Sequence, residues 1–211
     1  MPVTQSPSNP TDPPYPTRSR SQLWVLIAVF FAPLLVAFVL YYGLQGWRPV
    51  GSTNHGELVQ PPLEVPEAAL TEPRGGEHPA DLLRGKWTLV YIGHGACDAR
   101  CKEALTLMRQ TRLALNDDMT RVQRLFLVTD GCCDDTYLEQ EHAGLLVAAL
   151  DERARAVESV FATATPEPLV EAGRIYIVDP HGNLMMSYAR DAEPKGLLAD
   201  LKKLLKFSHI G

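Results

Sequence analysis

The segment Leu23 to Leu44 (LWVLIAVFFAPLLVAFVLYYGL) carries no charged residue, and it decides what the rest of the chain can be. A run of about 20 apolar residues is what a helix needs to cross the hydrocarbon of a bilayer. Trp24 at one end and Tyr41 and Tyr42 at the other stand where aromatic belts form. Pro33 is compatible with a bilayer helix, which tolerates proline better than a soluble one. A cleaved signal peptide is the competing reading. Its apolar core is about 7–15 residues long and a small-x-small cleavage site follows it, and neither property is met here. The segment reads as one membrane-spanning helix over residues 23–44.

The flanks give the orientation. Arg18 and Arg20 precede the run, and Arg48 is the nearest basic residue after it. The positive-inside bias keeps residues 1–22 in the cytoplasm and sends the C-terminal part across. In a bacterium that part faces the periplasm from the inner membrane, and in a mitochondrion it faces the intermembrane space. Both compartments allow disulfides and copper traffic.

The first 22 residues are rich in Pro, Ser and Thr and cannot build a core. Residues 45–80 contain Pro49, Pro61, Pro62, Pro66 and Pro73 and read as an extended linker. Leu63, Val65 and Leu70 leave open that its later half packs on the domain as a strand or hairpin. Residues 81–208 read as one domain of ordinary size. A net charge of −5 without a basic stripe argues against nucleic acid as a partner.

Within that domain the elements alternate. Lys86 to Ile92 is strand-like, and a helix follows Cys97 with Ala104, Leu107, Met108, Thr111 and Leu115 on one face. Arg124 to Thr129 is a nearly continuous apolar run, the pattern of a central parallel strand. A short helix over Asp135 to His142, a strand over Leu145 to Leu150 and a helix over Asp151 to Phe161 come next. Arg174 to Val178 and Leu184 to Tyr188 flank Asp179-Pro180-His181-Gly182-Asn183, which is hairpin-turn chemistry. The closing helix carries Leu197, Leu198, Leu201, Leu204 and Leu205 on one stripe, with Lys202, Lys203 and Lys206 outward. This order is that of an α/β thioredoxin-like sandwich with a mixed central sheet, behind a single transmembrane helix. Parallel pairing of its first two strands requires a crossover, which the helix near Cys97 supplies.

The chemistry rests on four cysteines. Cys97 follows Gly93-His94-Gly95-Ala96 where the first strand gives way to its helix, a position whose free N–H groups and partial positive charge favour thiolate. Arg100 adds to this and Asp98 opposes it. In a regular helix the Cβ atoms of residues four apart are about 5–6 Å from each other, whereas a disulfide wants about 3.8 Å. Cys97 and Cys101 therefore reach a shared soft metal more readily than each other, unless Cys97 stands outside the first turn. Two thiolates suit Cu(I), and zinc would want more ligands. Two unrelated core cysteines are the alternative, but both lie beside a glycine-rich turn. Cys132 and Cys133 follow the second strand. In a right-handed crossover both strands end at the same sheet edge, which puts this second pair near the first. A four-thiol metal site, an inter-loop disulfide, a relay between pairs, or a vicinal pair with one buried thiol all remain open. Met185 and Met186 alternate on a strand as core and surface residues.

Gly85-Lys86-Trp87-Thr88-Leu89-Val90-Tyr91-Ile92-Gly93 followed by Cys97-x-x-x-Cys101 resembles the Sco/SenC family. Asp135-Thr136 and Ile175-Tyr176-Ile177-Val178-Asp179-Pro180-His181-Gly182 are similar to that family's Asp-Thr and its hairpin, and the likeness runs from about Leu82 to Leu205. The resemblance implies a thioredoxin-like domain that assists assembly of the copper site of cytochrome c oxidase, by thiol–disulfide redox or by Cu(I) handling. It implies Cys97 and Cys101 as catalytic and metal-binding residues, and oxidase subunit II or another assembly factor as partner. The departures are specific. Asp98 and Lys102 replace the family's prolines, and Glu171 stands at the family's ligand histidine, so His94 becomes the candidate third ligand. A general periplasmic thiol-disulfide oxidoreductase without metal and a degenerate module that binds an assembly partner are the alternatives.

Overall fold

The apolar run forms helix α1 (Arg20–Gly43) in a computed structural model of the chain. The structure describes residues 20–43, 54–131, 133, 135–208 and 210. By length and composition α1 can cross a membrane. Its start lies three residues before the expected Leu23. Leu44, the tail before Arg20 and the first part of the expected linker fall outside the described residues.

The second unit, Ser52–Gly211, is built on a mixed sheet. Its elements are β1 (Glu57–Glu64), β2 (Trp87–Gly93), α2 (Ala99–Leu113), β3 (Val122–Val128), α3 (Asp135–Glu141), β4 (Leu145–Ala149), α4 (Arg155–Ala164), α5 (Leu169–Ala172), β5 (Ile175–Val178), β6 (Asn183–Tyr188) and α6 (Pro194–Phe207). The strands lie in the order β1-β6-β5-β2-β3-β4. Pairs β2·β3 and β3·β4 are parallel, and β2·β5, β5·β6 and β1·β6 are antiparallel. Strand alternation divides the core in two. Trp87, Leu89 and Tyr91 of β2 join Leu105 and Met108 of α2 and Leu197, Leu201 and Leu205 of α6 on one face. Val90 and Ile92 meet Val157 and Phe161 of α4 and Leu169 of α5 on the other.

Residues 54–80 of the expected linker belong to the domain, the alternative left open for its later half. Val65 and Leu70 are buried, and β1 adds an edge strand antiparallel to β6. Pro61 and Pro62, which suggested a linker, sit inside β1 where its register shifts between Leu58 and Leu63. An edge strand is where a sheet accepts proline, since one side of the backbone needs no partner.

Helix α2 also turns differently from its expected face. Cys101, Leu105, Met108 and Thr111 are its buried residues, whereas Ala104 and Leu107 are only partly covered. The helix starts at Ala99, so the inward stripe is phased from Cys101. The short helix α5 was not expected; four residues carry too little periodicity to be read. The hairpin turn is as expected. Asp179 Oδ1 accepts from the backbone N–H groups of His181 and Asn183 at 2.9 and 2.7 Å, and Gly182 takes φ 85°.

Candidate dithiol site

Parallel pairing in register, Trp87 with Val122 through Gly93 with Val128, brings β2 and β3 to one sheet edge. The loops leaving them meet there. Thr129 N–H donates to Gly93 O at 3.1 Å. Asp130 receives Gly95 N–H at 2.9 Å on Oδ1 and pairs with His94 Nδ1 at 2.9 Å on Oδ2. The loop is closed again by Cys97 N–H donating to His94 O at 3.0 Å.

Cys97 stands before the helix with φ 44°, a left-handed conformation uncommon outside glycine. Asp98 is the N-cap of α2, its Oδ1 accepting from Cys101 N–H at 2.9 Å. That bond is the main reason its carboxyl lies below the usual range, with the Arg100 guanidinium contributing. Because the chain bends before the first turn, the Cα atoms of Cys97 and Cys101 are 5.0 Å apart and the two sulfurs form a disulfide. The exception raised for a regular helix is therefore the one realised. Each cysteine is 2% exposed, so both are buried in the disulfide state.

The disulfide lies at a cleft of about 370 Å³ whose walls include Tyr91, Glu171 and Arg190. Burial first, then the nearby Asp98 charge, pushes the Tyr91 phenol up and keeps it neutral. Glu171, in the short helix α5, shares this cleft with the disulfide. His94 is on the same cleft, but its Nδ1 is committed to Asp130. Among the described residues no three side chains of His, Cys, Asp or Glu converge on a metal-holding arrangement. Two thiolates, once reduced, would suit Cu(I).

Cys133 is half-buried, packed against the cluster that contains Cys97 and Cys101, and is itself disulfide-bonded. Cys132 lies outside the described residues. Since Cys97 and Cys101 are joined to each other, the two pairs are not cross-linked in this state. Lys102, directly after Cys101, places its ammonium 4.5 Å from the Tyr137 ring centroid, linking α2 to α3. Asp130 and Arg190 were not foreseen. Asp130 could have been found from the same-edge rule applied to the residue after β3, and Asp98 from its place before a helix start.

The model of a family described as "Transmembrane-like, thioredoxin-like, C-terminal domain" matches residues 87–208, more than half of the chain. The chain belongs to this transmembrane-like, thioredoxin-like family. Comparison with curated proteins finds no match. Among solved structures, yeast Sco1 with copper bound is 20% identical at a TM-score of 0.56, covering 70% of this chain and 95% of that one. Apo Sco1 from Thermus thermophilus is 18% identical, TM-score 0.54, covering 74% and 99%. A thiol:disulfide interchange protein from Bacteroides sp. is 16% identical, TM-score 0.52, covering 70% and 91%. These likenesses establish the thioredoxin-like fold, which the family shares with both Sco proteins and thiol-disulfide oxidoreductases.

Proposed function

We propose that this protein is a thioredoxin-like thiol–disulfide exchanger, held to the inner membrane by α1 with its domain in the periplasm, or in the intermembrane space of a mitochondrion. The observation that carries this reading is the Cys97–Cys101 disulfide, which lines a cleft just before α2. In the exchange a partner thiolate attacks Sγ of Cys97. The Cys97–Cys101 bond breaks, and Cys101 leaves as a thiolate at the first turn of α2, where the helix N-terminus favours negative charge. A second partner thiolate then attacks the partner's sulfur in the mixed disulfide and releases Cys97. Two electrons pass from the partner to Cys97 and Cys101, and the two protons given up by the partner end on the new thiols or in solvent. The reverse sequence reduces a partner disulfide. Following the likeness to Sco proteins, the partner is the copper-site cysteine pair of oxidase subunit II, or another assembly factor.

A second reading uses the same two sulfurs. Reduced, Cys97 and Cys101 would hold Cu(I) as cargo, a reading supported by the softness of paired thiolates and by the copper recorded in yeast Sco1. Equilibrating the oxidised full-length protein against graded thiol buffers, then mapping the open cysteines by alkylation and mass spectrometry, tests the exchange reading. Reversible opening of Cys97–Cys101 with the fold retained is expected. A bond that opens only on unfolding would leave a structural disulfide and sink it.

A further inference from the structure

At the end of the sheet opposite the disulfide lies an apolar surface that the dithiol chemistry does not use. Trp87 begins β2 and Gly93 ends it, so this surface is about 20 Å from the Cys97 loop at ~3.3 Å per residue. Leu58, Trp87, Met186, Leu204 and Phe207 line a cavity of about 280 Å³ there. Phe207 is 73% exposed, and Leu58 and Ile210 are also exposed. The Trp87 indole Nε1 is buried without a hydrogen-bond partner. Around this patch α6 turns Lys202, Lys203 and Lys206 to solvent, and Lys86 is exposed next to Trp87. Lys206 Nζ lies 5.9 Å from the Phe207 ring centroid.

We infer that this face docks on an anionic lipid surface. Its make-up is that of an interfacial helix end, an aromatic and aliphatic tip ringed by lysines whose ammonium groups meet lipid phosphates. The chain also enters the domain here, since Asn54 lines the same cavity. The connection from Gly43 of α1 to Ser52 spans at most roughly 30 Å at ~3.3–3.6 Å per residue. A bilayer is thus within reach of this face, and the docked domain presents the Cys97–Cys101 cleft away from it. The inference rests on the membrane-anchor part of the proposed function.

Hydrogen exchange on the full-length protein in lipid nanodiscs tests it, with discs of phosphatidylcholine alone or mixed with phosphatidylglycerol. Amides of the last turn of α6 should exchange roughly tenfold or more slowly in the anionic discs, each lysine contributing about a fivefold factor. The Lys202→Glu/Lys206→Glu double variant, the Phe207→Ser variant and raised salt should each return them toward the phosphatidylcholine rate. Equal rates in both disc types overturn the docking surface. So does slowing that follows protein concentration and not lipid charge, which would mark contact with a second copy. Retention in the discs through an alkaline wash reports the anchor separately. A chain that washes out refutes the anchor and this inference together, whereas a retained chain with unchanged exchange refutes the docking alone.

Discussion

His94 Nδ1 lies 2.9 Å from Asp130 Oδ2, so the loop that leads into Cys97 is held by the loop that leads toward Cys133. The other oxygen of the same carboxylate takes the Gly95 N–H. Asp130 therefore holds His94 and Gly95, two of the three residues between β2 and Cys97. Asp130→Ala should lower stability by about 0.5–1.5 kcal/mol and speed opening of the Cys97–Cys101 bond by a dithiol reagent. His94→Ala keeps the Gly95 contact and should do less of both. Urea midpoints and reduction rates of the two variants check the order.

Asp98 supplies the first-turn acceptor of α2, and Asp98→Ala should cost about 0.5–2 kcal/mol. Its folded pKa is depressed, chiefly by the Cys101 N–H bond. The sign follows: the unfolded carboxyl holds its proton more tightly, so the stabilisation is complete above the ordinary aspartate pKa of about 3.9 and is lost as pH falls through the lower folded value. The stability difference between wild type and Asp98→Ala should be constant at neutral and mildly acidic pH and close below it. A difference that widens in acid would show that the cap is not what Asp98 provides.

Asp200 on α6 is the corresponding lock at the far end of the domain. Its Oδ2 accepts His55 N–H at 2.7 Å, Gly56 N–H at 3.0 Å and the Tyr188 hydroxyl at 2.9 Å. Burial alone pushes this carboxyl up, but the hydrogen bonds together hold it below the usual range. Gly56 is required at this point, because a Cβ there would stand 2.5 Å from the Tyr188 ring. Asp200→Ala strands three donors and should cost about 2–4 kcal/mol. Hydrogen exchange should show β1 losing protection first, while the exchange chemistry of Cys97 and Cys101 is unchanged.

Cu(II) prefers nitrogen and oxygen donors and should bind poorly, whereas two thiolates suffice for Cu(I). Anaerobic titration of the reduced protein against a Cu(I) competitor should show uptake that Cys97→Ser or Cys101→Ser abolishes. His94→Ala should matter less, since its Nδ1 is held by Asp130. No uptake by the reduced wild type would remove the copper reading and leave the exchange reading standing.

What was legible in the sequence follows from how each feature is encoded. Strands β2, β3, β5 and β6 and helix α6 write their burial into local periodicity, and the Cys97 spacing with its preceding glycines marks the site directly. The meeting of the two loops followed from parallel-strand topology alone, and the Asp130 contacts bear it out. Strand β1 was obscured because its prolines are allowed only by its edge position, a tertiary fact. The choice between a shared metal and a disulfide turned on whether Cys97 belonged to the first helical turn. Its φ of 44° answers that, and no local pattern announces a left-handed cysteine. The nearness of Glu171 to the disulfide depended on where α5 returns to the sheet edge, which four residues cannot specify.

The dithiol mechanism assigns attack to Cys97 and departure to Cys101, and trapping the intermediate tests this. Full-length Cys101→Ser, in which Cys97 cannot be resolved internally, is mixed with a peptide disulfide and the adducts are mapped by mass spectrometry. We expect a persistent mixed disulfide on Cys97, its release by added dithiol, and no adduct of comparable lifetime on Cys101 in the Cys97→Ser variant. An inert Cys97 in the folded Cys101→Ser protein, or adducts confined to Cys101, would contradict the assignment.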